Sequence, residues 1–130
     1  MSIQHHKDHP EIWLRPSPSL PLEVLLRLIE SRIITATPRL GARTSGHPKG
    51  YSAGQVITMR VLDSAGVEIV SHQVLVNDVI VKPLEQYTAA DLVHTYSYSD
   101  WKDVQRELSF FEKREVADTE DMSIIEFSYL

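Results

Sequence analysis

The chain has 130 residues, a length typical of one domain, and it contains no cysteine, which excludes disulfides, thiolate metal sites and cysteine nucleophiles. Hydrophobic residues make up 42% and charged residues 24% of the sequence, enough apolar surface for a folded core, which argues against wholesale disorder. The formal net charge is -5, and charges interrupt every long apolar stretch, so we expect no transmembrane helix. The N-terminus has no apolar region typical of a secretory signal, and the lack of cysteine fits a reducing compartment, so we expect a cytoplasmic location.

The charges are divided unevenly along the chain. Residues 1–60 hold eight Lys and Arg against four Asp and Glu, whereas residues 61–130 hold five against fourteen. A basic segment inside an acidic protein favours a local anion site, while the overall charge limits non-specific binding. The alternative is that the two halves of the chain interleave in the fold, so that their opposite charges cancel.

Residues 1–20 are predicted to be a proline-rich lead-in to a single domain over residues 21–130. Repeated prolines exclude a continuous helix there. Residues 12–14 are too apolar for a free tail, so we expect them to dock on the domain. The histidines at positions 5, 6 and 9 are interpreted as part of a solvated terminus, and we expect neither a metal nor another cofactor.

The first half of the domain is predicted to pass from a helix to a strand and then to a long loop. Pro21 suits a first helical turn, and leucines recur at helical spacing after it, which indicates a helix over residues 21–31. Residues 32–37 are rich in β-branched side chains and indicate a strand that ends at Pro38. Residues 39–54 hold four of the five glycines and several cations, which is typical of a functional loop.

A hairpin follows this loop. Residues 55–62 alternate between apolar and polar side chains, and a turn over residues 63–66 places Gly66 where a positive φ is needed. Residues 67–76 are predicted to form the second strand of the hairpin, beside residues 55–62. Residues 78–82 are predicted to form a further strand that Pro83 ends.

Two helices and a closing strand complete the prediction. Thr88 and Asp91 resemble a capping box, which indicates that a short helix begins there. Ser99 is expected to cap the helix that follows it. Its buried stripe is predicted to contain four residues: Trp101, Val104, Leu108 and Phe111. An acidic loop over 112–121 leads to a last strand over 123–130. The order predicts an α+β fold, a small and mostly antiparallel β-barrel with flanking helices, because closure removes exposed strand edges.

No motif for a phosphate loop, a dinucleotide fold, a zinc protease or a nucleophile elbow is present. The predicted first strand and the 39–54 loop carry recognition chemistry instead. Arginine and lysine bind phosphate, tyrosine offers a stacking face and threonine offers a hydroxyl. We therefore predict a ligand-binding cleft lined by Arg32, Thr35, Thr37, Arg39, Arg43, Lys49 and Tyr51.

Four segments in this order carry a resemblance to a known family. Residues 22–39 join a helix to Arg-Ile-Ile-Thr-Ala-Thr-Pro-Arg, and residues 51–57 read Tyr-Ser-Ala-Gly-Gln-Val-Ile. Residues 79–88 pass from a strand through Leu-Glu to Thr, and residues 124–127 read Ile-Ile-Glu-Phe. Together they resemble the ASCH domain family, which belongs to the PUA-like β-barrel superfamily.

The resemblance implies a cleft between the barrel and its helices that holds RNA or a modified nucleoside. Some small members of the family resemble amidohydrolases that remove an acyl group from cytidine with a Lys, a following Thr and a Glu in the next helical region. In this sequence the Lys position falls on Arg32 or Ile33, Thr35 or Thr37 matches the Thr, and the Glu has no clear counterpart. Since arginine does not lose its proton as lysine can, the same hydrolysis requires different residues here.

Three hypotheses for the function follow. The leading one is an RNA- or nucleoside-binding ASCH domain whose basic cleft is formed by the first strand and the 39–54 loop. The second is a small amidohydrolase-like enzyme acting on an acylated nucleoside, with Thr35 or Thr37 orienting the substrate and Lys49 or His94 as general base. The third is a protein–protein interaction module that docks through the acidic C-terminal half.

Overall fold

The computed structural model describes residues 10–44 and 46–130, so the histidines at positions 5, 6 and 9 lie outside the described residues. In this part of the chain five strands form one sheet with three helices beside it. The strands are β1 (Glu11–Leu14), β2 (Ala36–Leu40), β3 (Val56–Leu62), β4 (Glu68–Pro83) and β5 (Asp121–Tyr129). The helices are α1 (Leu22–Glu30), α2 (Ala89–Leu92) and α3 (Trp101–Glu112).

The sheet has the strand order β1-β3-β4-β5-β2. β1 runs parallel to β3, and the other three pairs are antiparallel. The predicted α+β class and mostly antiparallel sheet are therefore confirmed. The strands form a curled half-barrel with edges at β1 and β2, and the expected docking of residues 12–14 occurs through the pairing of β1 with β3.

The first helix is confirmed to within one residue at each end, but the strand after it is displaced. Arg32 follows the helix with φ 57°, a left-handed conformation that cannot begin a strand. β2 therefore starts at Ala36 and continues through Pro38, where the sequence predicted its end. Proline is tolerated there because β2 is an edge strand and pairs only with β5.

The predicted hairpin is confirmed, with one change in the returning strand. Ile57, Met59 and Val61 are buried on one face, and Gly66 closes the turn with φ 83°. β4 is one strand of 16 residues where two were predicted. Its register against β5 shifts between residues 76 and 78, and this irregularity lets the strand continue along the curled sheet.

The capping box of α2 is confirmed, because the Thr88 side chain accepts from the Asp91 backbone and the Asp91 side chain accepts from the Thr88 backbone. α3 is capped by Asp100, one residue after the predicted Ser99. Its buried residues include Glu107, whereas Phe111, predicted to be buried, is 41% exposed.

Two hydrophobic clusters lie on opposite faces of β5, since the adjacent residues Ile124 and Ile125 are both buried but belong to different clusters. The first cluster joins β1, β3 and residues Val74 and Val76 of β4 to α1. The second joins β2 and the start of β5 to α2 and α3. Within residues 10–44 and 46–130, no helix is long and apolar enough to cross a membrane.

Candidate functional site

A cavity of about 480 Å³ lies where the two hydrophobic clusters meet. Its walls come from β1 and the segment after it, from β2, from the loop that follows β2, from residues 95–98 and from α3. This volume falls within the range of roughly 300–1,000 Å³ that is usual for small-molecule sites. The chain segments that meet here are far apart in sequence, so the cavity depends on the complete fold.

One wall of the cavity is cationic. Arg39, Arg43 and Lys49 all contribute to it, and none of them joins the ion pairs formed among residues 10–44 and 46–130. Burial is the main reason that the pKa of Arg39 lies below its usual range, and the neighbouring cation Arg43 adds to the effect. An arginine nevertheless stays charged at neutral pH, so this wall attracts anions.

Arg39 also holds the two edges of the half-barrel together. One terminal nitrogen, Nη2, donates to the Trp13 carbonyl of β1 at 2.5 Å. The other, Nη1, donates to Thr37 Oγ1 at 2.7 Å and to the Pro38 carbonyl at 2.6 Å, both in β2. The guanidinium thus bridges β1 and β2, the two edge strands of the sheet. The same hydrogen bonds hold its positive charge at the cavity wall.

The loop after β2 is anchored to the sheet. The Ser123 hydroxyl of β5 donates to the Gly41 carbonyl at 2.6 Å and accepts from the Arg43 backbone at 2.8 Å. Gly50 packs so closely that a Cβ atom there would lie 1.7 Å from the Thr44 carbonyl oxygen, so only glycine fits. These contacts place Arg43 on the cavity wall.

Aromatic rings form a second part of the wall. Tyr51 is 5% exposed, and its hydroxyl donates to the Glu11 carbonyl at 2.7 Å, which makes it a packed residue as well as a lining residue. Burial raises the pKa of Tyr51. Trp13, Tyr98 and the more exposed Phe111 also line the cavity and offer faces on which a planar ligand can stack.

The backbone before Tyr98 has an unusual conformation. Tyr96 has φ 63° and ψ -49°, and the Ser97 N–H donates to the Thr95 carbonyl at 2.7 Å, which together form a strained γ-turn. The residue before the turn, Thr95, is held to the end of α2, since its hydroxyl donates to the Leu92 carbonyl at 2.6 Å. The turn brings Ser97 and Tyr98 to the cavity, and strain of this kind is concentrated at functional sites.

Glu107 of α3 places a carboxylate at the same cavity. It is 6% exposed, and its Oε1 accepts from the Ser17 hydroxyl at 2.8 Å and from the Ser19 hydroxyl. Its Oε2 is buried and has no hydrogen-bond partner in the described part of the chain. The cavity therefore combines a group of cations with one buried acceptor.

Five of the residues predicted to bind the ligand line the cavity together: Thr37, Arg39, Arg43, Lys49 and Tyr51. The other predicted site residues lie outside it. The Arg32 guanidinium lies over the Tyr129 ring, 5.7 Å from its centre, at the end of α1. Thr35 pairs through its backbone with His94 and Phe127, and the His94 side chain is exposed away from the lining.

The sequence reasoning missed Trp13, Tyr98 and Glu107 as lining residues. A signal for Glu107 was present, because it immediately precedes Leu108 of the predicted apolar stripe and so falls beside the buried face of α3. Within the described residues, no group of three or more His, Asp or Glu is arranged to hold a metal ion.

Comparisons with known proteins support the architecture. Neither the protein-family models nor the curated proteins contain a match. Among solved structures, the chain is similar to an Enterococcus faecalis protein assigned to the family model DUF984, with a TM-score of 0.60 and 16% identity over 94% of this chain and 80% of that one. It is also similar to an ASCH domain from Lactobacillus crispatus, with a TM-score of 0.54 and 14% identity over 95% of this chain and 82% of that one.

Proposed function

Since the chain has an ASCH-like fold, we propose that its cavity binds one nucleotide unit, either as a free nucleotide or as an unpaired nucleotide of an RNA. The observation that carries the proposal is the wall formed by Arg39, Arg43 and Lys49, three cations without ion-pair partners in the described chain beside a cavity of about 480 Å³. A phosphate supplies the missing negative charge, and the cavity volume suits a single nucleotide better than a long duplex.

The three cations have different tasks in this proposal. Arg39 uses its terminal nitrogens to hold β1 and β2, so it contributes charge more than free donors. The Arg43 Nε donates to the Leu40 carbonyl at 2.7 Å, and its terminal nitrogens bond to none of the described residues, so they are available to a phosphate. Lys49 is exposed and adds a further positive charge to the lining.

The aromatic wall supplies the contact for a base in this proposal. Tyr98 is half-buried and lines the cavity, whereas Tyr51 already uses its hydroxyl to hold β1. Stacking of one base on an aromatic side chain contributes roughly 1–3 kcal/mol and does not depend on the base sequence.

Binding across a salt series tests the proposal. Arg43→Ala and Lys49→Ala are each expected to weaken binding of many short single-stranded RNAs alike and to make the salt dependence shallower, because each removes one of the cations that contact the phosphate. Arg27→Ala is the matched control, since Arg27 is an exposed cation of α1 outside the cavity. Fluorescence anisotropy with single-stranded and hairpin RNAs, together with calorimetry of free nucleoside monophosphates, distinguishes RNA from free nucleotide. Absence of binding to every probe at low salt would overturn the proposal.

A hydrolase acting on an acylated nucleoside is the second candidate, supported by the presence of Thr37, Lys49 and Glu107 on one cavity. In this version Thr37 orients the substrate, and Lys49 or Glu107 accepts a proton from the attacking water. His94 has no place in the reaction because it lies outside the cavity. Chromatography of acylated nucleosides after incubation with the protein tests this candidate, and loss of turnover in Thr37→Val is the expected supporting result.

A further inference from the structure

The carboxylate of Glu107 is buried with only one of its oxygens in use. Both serine hydroxyls of the segment after β1, Ser17 and Ser19, donate to Oε1, and Oε2 has no partner among the described residues. Buried polar atoms in native proteins nearly always have a partner, and a carboxylate oxygen can only accept while it is ionised. Since Glu107 lines the cavity, a bound molecule is the natural source of the missing donor.

Among the described residues no cation supplies that donor. None of the ion pairs formed in the described chain includes Glu107, although Arg39 and Arg43 line the same cavity. Tyr98 lines the same cavity as Glu107 and Arg39. Burial is the main reason that its pKa is raised, the carboxylate of Glu107 adds to this effect, and the guanidinium of Arg39 opposes it. The cavity therefore has a cationic region and an acceptor region that form no ion pair with each other among the described residues, and Tyr98 belongs to the same lining.

We propose that Glu107, oriented by Ser17 and Ser19, is the subsite that recognises the amino group of a nucleobase, so that the cavity selects amino-bearing nucleotides. This inference rests on the proposed function, in which Arg43 and Lys49 hold the phosphate and an aromatic ring holds the base. A nucleotide of this kind matches both regions of the cavity, with an anion at one and an N–H donor at the other. An amino N–H donating to a carboxylate is a charge-assisted hydrogen bond, which is about twice as strong as a neutral one.

The serines determine what a substitution at Glu107 does. Glu107→Gln keeps the shape of the side chain, and its single carbonyl oxygen remains where Ser17 and Ser19 donate. The amide NH₂ then occupies the position of Oε2 and presents donors where the native protein presents an acceptor. This variant therefore removes the preference for an amino group without emptying the cavity.

The experiment is calorimetric titration of the full chain with three pairs of nucleotides. Each pair differs only in the base amino group: AMP and purine riboside 5′-monophosphate, CMP and 2-pyrimidinone riboside 5′-monophosphate, GMP and IMP. The wild type is expected to bind the amino member of at least one pair about tenfold more tightly, because a site that recognises a polar group discriminates against analogues lacking it. In Glu107→Gln the two members are expected to bind equally within about twofold.

Two controls separate recognition from structural support. Glu112→Gln removes an exposed carboxylate of the same cavity and is expected to keep the tenfold preference. Ser19→Ala weakens the anchoring of Oε1 and is expected to lower Tm and to reduce the preference without abolishing it, because Ser17 still donates to Oε1. A Glu107→Gln variant that lowers Tm but keeps the preference would overturn the inference, and so would a wild type that distinguishes no pair by more than about twofold. If Glu107→Gln does not fold, the wild-type comparison alone decides.

The same titrations distinguish this inference from the proposed function. Monophosphates that bind without regard to the amino group would leave the proposed function standing and remove the role of Glu107. Free nucleosides that bind as tightly as their monophosphates, with the amino preference intact, would support the role of Glu107 and remove the phosphate site. Absence of binding by every probe would overturn both.

Discussion

Replacement of Arg39 by methionine tests whether its guanidinium holds the half-barrel together. Methionine has a similar length and keeps the apolar stem, but it donates no hydrogen bond. The bond to the Trp13 carbonyl crosses between the two sheet edges and is lost outright. The bonds to Thr37 and Pro38 are local, and these acceptors can find water or other partners after a small shift. A hydrogen bond from a charged donor contributes about 1.5–3 kcal/mol, so we expect a loss of about 2 kcal/mol in the free energy of unfolding.

Arg43→Met is the matched control for this experiment. Its guanidinium lines the same cavity, but its one observed hydrogen bond, to Leu40, stays within the same part of the chain. We expect it to lose less than about 1 kcal/mol, since a local bond of this kind is easily replaced by water. Urea denaturation followed by circular dichroism measures both values. A loss below about 0.5 kcal/mol for Arg39→Met, or equal losses in the two variants, would refute the reasoning.

Two further predictions concern the sheet and α2. Removal of residues 123–130 is expected to abolish cooperative unfolding, because β5 lies between β4 and β2, and a sharp thermal transition near the wild-type temperature would contradict this. The hydrogen bond from Lys82, followed by that from Thr88, holds the pKa of Asp91 below its usual range. The folded pKa is therefore below the unfolded one, so the stability contributed by Asp91 is present above about pH 4 and is lost as the pH falls through the folded pKa. Asp91→Asn is expected to destabilise the protein at pH 7, with a difference from wild type that shrinks in acid, as urea denaturation at several pH values will show.

The features that were predictable from the sequence are those whose causes are local. The turn at Gly66 and the capping box of Thr88 and Asp91 each depend on residues a few positions apart, and both are present. β2 was misplaced because its pairing with β5 comes from a segment far along the chain, and because Pro38 is acceptable only once the strand is known to lie at an edge. Position in the sheet overrode the local preference for ending the strand.

The same distinction applies to the candidate site. Arg39, Arg43 and Lys49 were singled out by charge and loop composition, and they line one cavity. Glu107 falls beside the buried face of α3, but it was missed because its hydrogen-bond partners, Ser17 and Ser19, lie about ninety residues earlier in the chain. Charge density in a sequence indicates an anion site, whereas the hydrogen-bond partners of a single buried acceptor are known only when distant segments are brought together.

The position of β5 in the sheet has a consequence for how the chain folds. β5 is the last of the five strands along the sequence, yet it separates β4 from β2, and Ala36 pairs with Glu126, a residue ninety positions further along the chain. Long loops must close before such a contact forms, and high contact order slows folding. During synthesis β2 emerges early and has no sheet partner until the whole of β5 has left the ribosome. The nascent chain therefore carries β2 without its sheet partner while the residues between β2 and β5 are synthesised, and unpaired strands of this kind make partly folded chains prone to aggregation.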